Sequence, residues 1–561
     1  MSGSILTPAA IWNEFIIPTA PEAEIIEEEK DGEIIISRLY INGKTTAAGQ
    51  VRIFATLTRG VQISLAPAIL LFKDFDDYGL SLDKEIAKRG YAVLSVDLAG
   101  KRSDRDGLCT LYPEDLSFAM YDNAKNALFK VEKDVTQTCW YEWAVIARYA
   151  LAFLKNQPYI TKVGGIGIAE TATVLWQLAM DKELSAAAFV LNVGWSAYKG
   201  LYKFEGKAEP QFSDETIKFI AGIEPQSYAA HINCPVIVAA ATNSPDFDMD
   251  RVNDTLSRVR KDLFTAVDYS VGRSDGISSE AFGNVLAFFD GFILREQHVS
   301  DFRYPEIKAE LINKEIRVEV LPGGDDERKN VSLFASEGVY NPALRSWSKT
   351  EKAEIDGKKY VFNYKPYSRS GVAFFFARIS YKNGYSFSTS VTAVKFNPDE
   401  GGGKFKSGIV FSGREENAES VFSAIPDPAD KSHIDISGSS CVRLTAGPMD
   451  ITGVCALTGL RTFKINAEKD KPSDQSMLML DLYVKDDQTF SVSLISDYFS
   501  DSKTEYVARV KVKGGNVWHN IRLNMSSFKT GEGMPLKSYA KINAIEFFCP
   551  GEYLINNILW V

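Results

Sequence analysis

Histidine is scarce in this sequence. Its 561 residues include four histidines: His231, His298, His433 and His519. The imidazole is the commonest general base in hydrolytic sites because its pKa lies near neutrality. Any histidine-dependent chemistry in this chain must therefore use one of these four positions.

The six cysteines are too far apart in sequence to form a zinc knuckle, because no two of them make a Cys-x-x-Cys pair. They are Cys109, Cys139, Cys234, Cys441, Cys455 and Cys549. We expect six buried or half-buried thiols, with Cys441–Cys455 the one pair that merits a test for a disulfide. No metal site and no cofactor is expected.

Positive charge and long apolar runs are also lacking. The net charge is −10, which argues against nucleic acid and anionic membrane surfaces as partners. Apolar runs such as residues 66–72 are far too short to span a bilayer. Residues 1–5 lack a basic stretch followed by an apolar one, so a cytoplasmic location is expected for the sequence as given, or secretion if a leader has been removed.

The first 60 residues contain two strand-like segments, residues 33–40 and 51–57. Asn42-Gly43 lies between them and predicts a tight turn. The acidic run at residues 22–31 is expected to be a solvated face or loop.

From residue 66 to 296, apolar runs alternate with helical patterns, which is typical of a mostly parallel, doubly wound sheet with helices on both faces. Continuous apolar strands indicate burial on both sides. The predicted strands are residues 67–72, 91–97, 162–166, 186–193, 235–241 and a segment around 265. The predicted helices are residues 80–89, 140–156, 171–180 and 280–295.

Beyond residue 300 the pattern changes to short alternating strands. Residues 313–398 predict a small β-sandwich, and the glycine-rich residues 399–404 predict a linker. Residues 405–561 suit a jelly roll. Three domains follow from these shifts, at residues 1–298, 299–399 and 400–561.

The C-terminal pattern has apolar strands at residues 518–523, 545–548 and 554–558. It resembles the galactose-binding-like jelly rolls of carbohydrate-binding modules. That resemblance implies a carbohydrate ligand, for which Tyr498 and Trp518 are candidate ring platforms, together with Phe499. Packing in the core is the alternative for all three.

Residues 164–176 read as a strand, a sharp turn and a helix. The turn, Gly167-Ile168-Ala169-Glu170-Thr171, resembles the nucleophile elbow G-x-S-x-G of the α/β-hydrolase family, and the resemblance covers residues 50–296. The acetyl xylan esterase and dienelactone hydrolase branches are the most similar. Ala169 stands at the nucleophile position and has no heteroatom with which to attack.

The other three catalytic positions of that family also differ here. The oxyanion loop has Asp74 in place of glycine, and a carboxylate there would repel a developing oxyanion. Ser244 stands at the acid position, with Asp246 and Asp248 nearby, and Asp275 stands at the base position. No histidine lies between the last strand and the final helix, so no imidazole is expected at the nucleophile.

Lys73, Asp74, Glu170 and Asp275 all follow the carboxyl ends of neighbouring strands, so they are expected to gather in the former pocket. One interpretation is a repurposed acid/base or cation site built on Glu170 and Asp275. The other, which we expect, is a lost site filled with salt bridges such as one between Lys73 and Glu170.

Four aromatic residues are further candidates for ligand contact. Trp140 and Trp143 open a long helix, where core packing is the alternative. Trp195 and Tyr198 follow a strand end and could line a cleft.

The leading hypothesis is a catalytically degenerate esterase-like protein, a pseudoenzyme that binds carbohydrate or a protein partner. The first alternative is an active carbohydrate-ester hydrolase, similar to acetyl xylan esterase, with an unorthodox site using Glu170 and Asp275. The second is a purely structural interaction protein. The oligomeric state stays open.

Overall fold

The computed structural model describes residues 4–16, 20–62, 64–294, 304–323, 328–350, 353–382, 384–414, 418–427, 430–438 and 441–561. His298, the predicted helix end at residue 295 and the predicted domain boundary at 298/299 lie outside these ranges. Within them, no helix is long and apolar enough to cross a membrane.

The N-terminal half is built on one nine-stranded sheet. Its strands are β1 (Ala23–Asp31), β2 (Ile34–Thr46), β3 (Gly49–Gly60), β4 (Ala66–Phe72), β5 (Ala92–Val96), β6 (Ile160–Ile168), β7 (Ala186–Val190), β8 (Val236–Ala241) and β9 (Thr265–Ser270). Their order across the sheet is β1-β2-β3-β5-β4-β6-β7-β8-β9. The pairs from β5 to β9 are parallel, and β1, β2 and β3 join antiparallel.

Nine α-helices accompany this sheet in the described residues. They are α1 (Pro8–Trp12), α2 (Ser81–Ala87), α3 (Tyr121–Ala124), α4 (Cys139–Lys155), α5 (Ala172–Leu178), α6 (Asp214–Gly222), α7 (Pro225–Tyr228), α8 (Val252–Leu256) and α9 (Ser279–Phe289). A Cβ on Gly164 would meet Phe289, whereas a Cβ on Gly165 would meet Leu175. Because successive residues of a strand face opposite sides, α5 and α9 cover opposite faces of β6.

The acidic run is a solvated face, the first of its two predicted forms, because it forms the fully exposed edge strand β1. The predicted tight turn is wrong. Asn42 and Gly43 are not a turn, because β2 continues through them with a bulge between Asn42 and Thr45, and the chain reverses at residues 47–48. Pairing with β1 and β3 on its two sides keeps this segment extended where the local sequence alone favours a turn.

Two antiparallel sheets follow in residues 304–396. One contains β10 (Glu306–Ile312), β11 (Glu315–Leu321), β14 (Glu354–Asp356) and β15 (Lys359–Tyr364). The other contains β12 (Arg328–Glu337), β13 (Ser348–Lys349), β16 (Val372–Tyr381), β17 (Ser386–Ser388) and β18 (Thr392–Lys395). Phenylalanines 374, 375 and 376 of β16 are fully buried in a core continuous with that of the N-terminal half.

The C-terminal residues also form two antiparallel sheets, with the short helix α10 (Ala418–Val421) beside them. The six-stranded sheet contains β19 (Ile409–Ser412), β21 (Arg443–Ala446), β22 (Thr452–Cys455), β24 (Leu478–Val484), β27 (Trp518–Leu523) and β29 (Tyr553–Trp560). The five-stranded sheet contains β20 (Ser423–Ala424), β23 (Leu460–Thr462), β25 (Gln488–Ser496), β26 (Thr504–Val512) and β28 (Ile542–Phe548). The predicted division into an α/β half and an all-β half is confirmed.

All six cysteines are free thiols, three of them buried and three half-buried. Cys441 and Cys455 are not bonded, so the one disulfide singled out for a test does not form. The expectation of six separate thiols is confirmed.

A buried ion pair joins the N-terminal half to the middle β-region. The Arg345 guanidinium donates to both carboxylate oxygens of Asp250, at 2.6 and 2.7 Å, and neither side chain is more than 1% exposed. Arg378 makes a second link to the buried Asp268 at 3.0 Å. A bidentate pair of this kind fixes orientation as well as distance.

Candidate functional site

The turn predicted from residues 164–176 is present, with Ala169 at its apex. Ala169 has a φ of 52°, in the left-handed region that a non-glycine residue rarely adopts. Gly167 lets α5 pack closely on β6, because a Cβ there would lie 2.6 Å from the Cα of Ala172. The turn still presents residue 169 at the carboxyl end of the sheet, but it presents a methyl group.

Hydrogen bonds hold this turn in place. The Thr171 hydroxyl lies 2.9 Å from the carbonyl oxygen of Phe72 and 2.8 Å from that of Ile168. The side-chain amide of Asn192 donates to the Ala169 carbonyl at 2.9 Å. Thr171, which replaces the last glycine of the motif, thus ties the elbow to the neighbouring strand β4.

An imidazole does reach the former pocket, and it comes from the C-terminal region. His433 Nδ1 donates to the backbone carbonyl of Asp275 at 2.6 Å, and Nε2 lies 2.7 Å from Oδ2 of Asp74. The sequence predicted no imidazole at this site, because no histidine lies in the loop after β9. That prediction is wrong. His433 lies 359 residues from Asp74 in the chain, and no local motif marks it.

The two contacts of His433 fix its charge state. Both ring nitrogens face acceptors, so both carry protons when Asp74 is ionised. Burial lowers the pKa of His433, but the hydrogen bond to Asp74 and the charge of that carboxylate outweigh it, and the pKa is raised to about 9. At neutral pH this side chain is an imidazolium, and a general base needs an unprotonated nitrogen.

Backbone pairing seats the His433 segment against the loop after β9. The Ile277 amide donates to the His433 carbonyl at 2.9 Å, and the Asp435 amide donates to the Ile277 carbonyl at 3.1 Å. A Cβ on Gly276 would lie 2.6 Å from the His433 carbonyl oxygen, so this close approach requires glycine. This backbone pairing adds to the two hydrogen bonds of the His433 ring. Both the ring and its backbone are therefore held at this loop.

Asp275, at the base position, is occupied by other partners. Its carboxylate accepts from the Ser274 hydroxyl at 2.6 Å and lies 3.4 Å from the Arg461 guanidinium. Arg461 also contacts Ser274 at 2.9 Å and Glu546 at 2.8 Å, which links the C-terminal region to this loop. One interpretation of the sequence was a site built on Asp275 and Glu170. The structure shows no direct contact between these two side chains.

Glu170 is a carboxylate with a strongly perturbed environment in the site. Burial raises its pKa to about 7, and the nearby charges of Asp74 and Asp246 add to the effect. Its carboxylate accepts no hydrogen bond from the part of the chain that the structure describes. Near pH 7 this group exchanges a proton readily, which is the property of a general acid or base.

Lys73 does not pair with Glu170, so that expectation is wrong. Its ammonium lies 3.0 Å from the buried Asp83 and donates to the Gly79 carbonyl at 2.6 Å. Asp83 is fully buried and attracts the lysine away from the elbow. The adjoining cavity, between Lys73, Asp74 and Thr171, measures about 80 Å³, which is too small for a sugar ring.

The residues after β8, where the resemblance puts the acid, have other partners. Ser244 is buried, and its hydroxyl accepts from the Asp246 amide at 3.4 Å. Asp246 pairs with the exposed Lys199 at 2.8 Å, and Asp248 accepts from the Asp250 amide at 3.1 Å and pairs with Arg251 at 3.3 Å. None of these carboxylates contacts the His433 ring.

Trp140 and Trp143 are core residues, which corrects their selection as ligand contacts. Their exposed fractions are 2% and 0%. The Trp140 indole donates to the Leu128 carbonyl at 2.7 Å, and the Trp143 indole to the Ala119 carbonyl at 2.9 Å. Neither ring offers a face to a ligand.

Trp195 and Tyr198 are half-buried and pack edge to face, with their ring centroids 5.1 Å apart. The Trp195 indole donates to Thr255 at 2.8 Å, and Arg251 lies over the Tyr198 ring at 4.8 Å. These contacts fix both rings in position. They remain candidates for ligand contact.

In the C-terminal region, Tyr498 and Phe499 pack against Phe463 and form a small apolar cluster. This arrangement is core packing for that pair. Among the described residues, no three or more His, Cys, Asp or Glu side chains are grouped so as to hold a metal ion.

Known structures that align with the chain are esterases and related hydrolases. Acetyl xylan esterase 1 from Thermoanaerobacterium sp. JW/SL YS485 aligns at 15% identity over 48% of this chain and 89% of its own, with a TM-score of 0.31. Acetyl xylan esterase from Paenibacillus sp. R4 aligns at 10% identity over 51% and 92%, with a TM-score of 0.35. A putative dienelactone hydrolase from Klebsiella pneumoniae subsp. pneumoniae MGH 78578 aligns at 11% identity over 47% and 99%, with a TM-score of 0.31.

No protein-family model matches the chain, and no curated protein sequence matches it. TM-scores this low leave the fold to be assigned from the strand order and the elbow. On that basis the N-terminal half contains a large mixed α/β sheet that resembles the hydrolase fold, followed by antiparallel β-sheets.

Proposed function

We propose that this protein is a catalytically degenerate member of the hydrolase fold that binds carbohydrate and does not cleave it. Two observations together support the absence of cleavage. Residue 169 has no nucleophilic atom, and the imidazole that the described residues bring to the site, His433, is an imidazolium held by Asp74 and the Asp275 carbonyl. Acyl transfer through a serine relay needs both groups in their active forms.

The oxyanion position supports the same conclusion. Asp74 directs its carboxylate at the backbone amide of Phe75, at 2.7 Å, as well as at His433. An oxyanion hole requires free N–H donors aimed at the developing charge. Here the Phe75 amide already donates to the Asp74 carboxylate, so this N–H is not free, and the carboxylate adds negative charge.

A second candidate function is hydrolysis in which Glu170 acts as a general base on water. It is favoured by the pKa of Glu170, raised to about 7 by burial. This route needs a group that stabilises the developing oxyanion, and Asp74 and Asp246 beside Glu170 oppose it. We therefore rank this function below binding.

Hydrolysis assays separate the two functions. The full chain is incubated with 4-nitrophenyl acetate and with acetylated xylo-oligosaccharides, beside its Glu170→Gln variant. The binding proposal predicts product release at the buffer rate for both proteins. Hydrolysis by the unmodified chain that E170Q abolishes would establish the second candidate and overturn the first.

A further inference from the structure

A groove of about 530 Å³ lies beside the six-stranded sheet of the C-terminal region, far in sequence from the elbow. Pockets of this size accept small organic ligands. Its walls come from β21, β24 and β29 and from the turn at residues 447–449. Apolar and polar groups line it in similar measure, which suits a ligand with both ring faces and hydroxyl groups.

The aromatic ring of Tyr483 lines the groove, and that of Trp518 packs against it. Tyr483 lies opposite Trp518 in the register of β24 and β27, and their ring centroids are 6.0 Å apart. The Trp518 indole donates to the Pro448 carbonyl at 3.1 Å, so this ring is fixed in position. Tyr483 is half-buried and lines the groove, which makes it the ring available for stacking.

Arg443 supplies a cation that the protein itself does not use. It is exposed at the start of β21, and its guanidinium forms no ion pair or hydrogen bond with the described residues. The carboxylate nearest to it in the groove, Glu552, is paired with Lys485 at 3.0 Å. In a chain with a net charge of −10, an unpaired guanidinium in a groove favours an anionic group on the ligand.

The turn beside the groove is shaped by unusual backbone. Met449 and Asp450 both have positive φ values, 60° and 57°, and Met449 is 75% exposed. Non-glycine residues in this region are found mainly where the surrounding structure imposes the conformation. Here the turn holds the flexible apolar side chain of Met449 at the groove edge.

We propose that this groove binds an acidic oligosaccharide, with a uronate carboxylate on the Arg443 guanidinium and a sugar ring against Tyr483. The inference rests on the proposed function, since it names the class of carbohydrate and where it binds. Asn516 and Thr445 line the same groove and offer hydrogen-bonding groups to sugar hydroxyls.

Titration calorimetry tests this on the full chain with two probes, a galacturonic acid hexasaccharide and its carboxyl-reduced neutral counterpart. The acidic probe is expected to bind at least about tenfold more tightly, the worth of one charge-assisted contact. Arg443→Gln should remove that preference. Arg509→Gln, an exposed arginine on the five-stranded sheet, is the matched control and should bind as the unmodified chain does.

Equal affinity for the two probes, or an R443Q variant that binds as tightly as the unmodified chain, would overturn the inference. If both probes bind and R443Q has no effect, carbohydrate binding stands and only the groove assignment fails. If neither probe binds, the groove assignment and the proposed carbohydrate binding are both overturned. The absence of catalysis is tested separately by the hydrolysis assays. If hexa-aspartate binds with the same affinity as the acidic saccharide, the saccharide assignment is overturned and the ligand is an acidic peptide.

Discussion

The imidazole of His433, in the C-terminal region, lies 2.7 Å from the carboxylate of Asp74, which follows β4 of the N-terminal sheet. His433 also contacts the loop after β9 through the Asp275 carbonyl. The two residues, His433 and Asp74, form an ion pair between regions, so the contact is a structural joint.

Replacing His433 by glutamine should lower the thermal midpoint, and the effect should depend on pH. Its pKa is raised from 6.5 to about 9 in the folded protein. The stabilisation is therefore complete below about pH 6.5 and is lost as the pH rises through 9. We expect a cost of about 2 kcal/mol at pH 6.5 and a much smaller one at pH 10.

Scanning calorimetry of the unmodified chain and H433Q at the two pH values measures this difference. His231→Gln is the control, because His231 forms no ion pair with the described residues. A deficit of equal size at pH 6.5 and pH 10 would mean that the Asp74 pair does not stabilise the fold.

The sequence predicted the sheet and the elbow well because both depend on local patterns. Continuous apolar runs marked β4 to β8, and residues 164–176 marked the strand, the sharp turn and the helix around Ala169. The contacts of His433 and Arg345 could not be predicted in this way. Each depends on how separate parts of the chain pack together, and neither residue lies in a motif.

Glu170→Gln should raise the thermal midpoint at pH 8 and have little effect at pH 5. The pKa of Glu170 is raised from 4.5 to about 7, so its ionisation destabilises the folded chain as the pH rises from 4.5 through 7. Removing the charge should recover about 1–2 kcal/mol at pH 8. Unchanged midpoints at both pH values would show that Glu170 is ordinarily solvated.

Gly276→Ala should displace the His433 segment. A Cβ at this position would lie 2.6 Å from the His433 carbonyl oxygen, a contact that backbone must relieve by moving. Overpacking of this kind costs about 1–3 kcal/mol. Gly283→Ala, in α9 with nothing within 4 Å of the new Cβ, is the matched control and should be neutral or stabilising. The two variants melting alike would count against the tight seating of this segment.

Arg345→Met should destabilise the junction with the middle β-region more than any change at a surface pair. It leaves Asp250 buried without its partner, at a cost of about 3–5 kcal/mol. Lys199→Gln breaks the exposed pair with Asp246 and should cost less than about 1 kcal/mol. The thermal midpoints of the two variants are compared with that of the unmodified chain. Similar losses of stability would contradict the claim that the buried pair stabilises the fold more than the exposed pair.

Asp74 lies close enough to Glu170 to act on its pKa, as expected for residues that follow the carboxyl ends of neighbouring parallel strands. The partner of each one is decided by burial and by neighbouring cations. Lys73 therefore pairs with Asp83, and Asp275 lies beside Arg461.

Restoring the nucleophile tests most directly whether the site has lost its whole relay and not only its serine. The Ala169→Ser variant is treated with a fluorophosphonate, which labels activated serines, and the intact mass is measured beside that of an active serine esterase. Because His433 is an imidazolium bound to Asp74, we predict no adduct on A169S at pH 7.5. A stoichiometric adduct on the introduced hydroxyl at position 169, formed at a rate comparable to that of the esterase, would contradict the account.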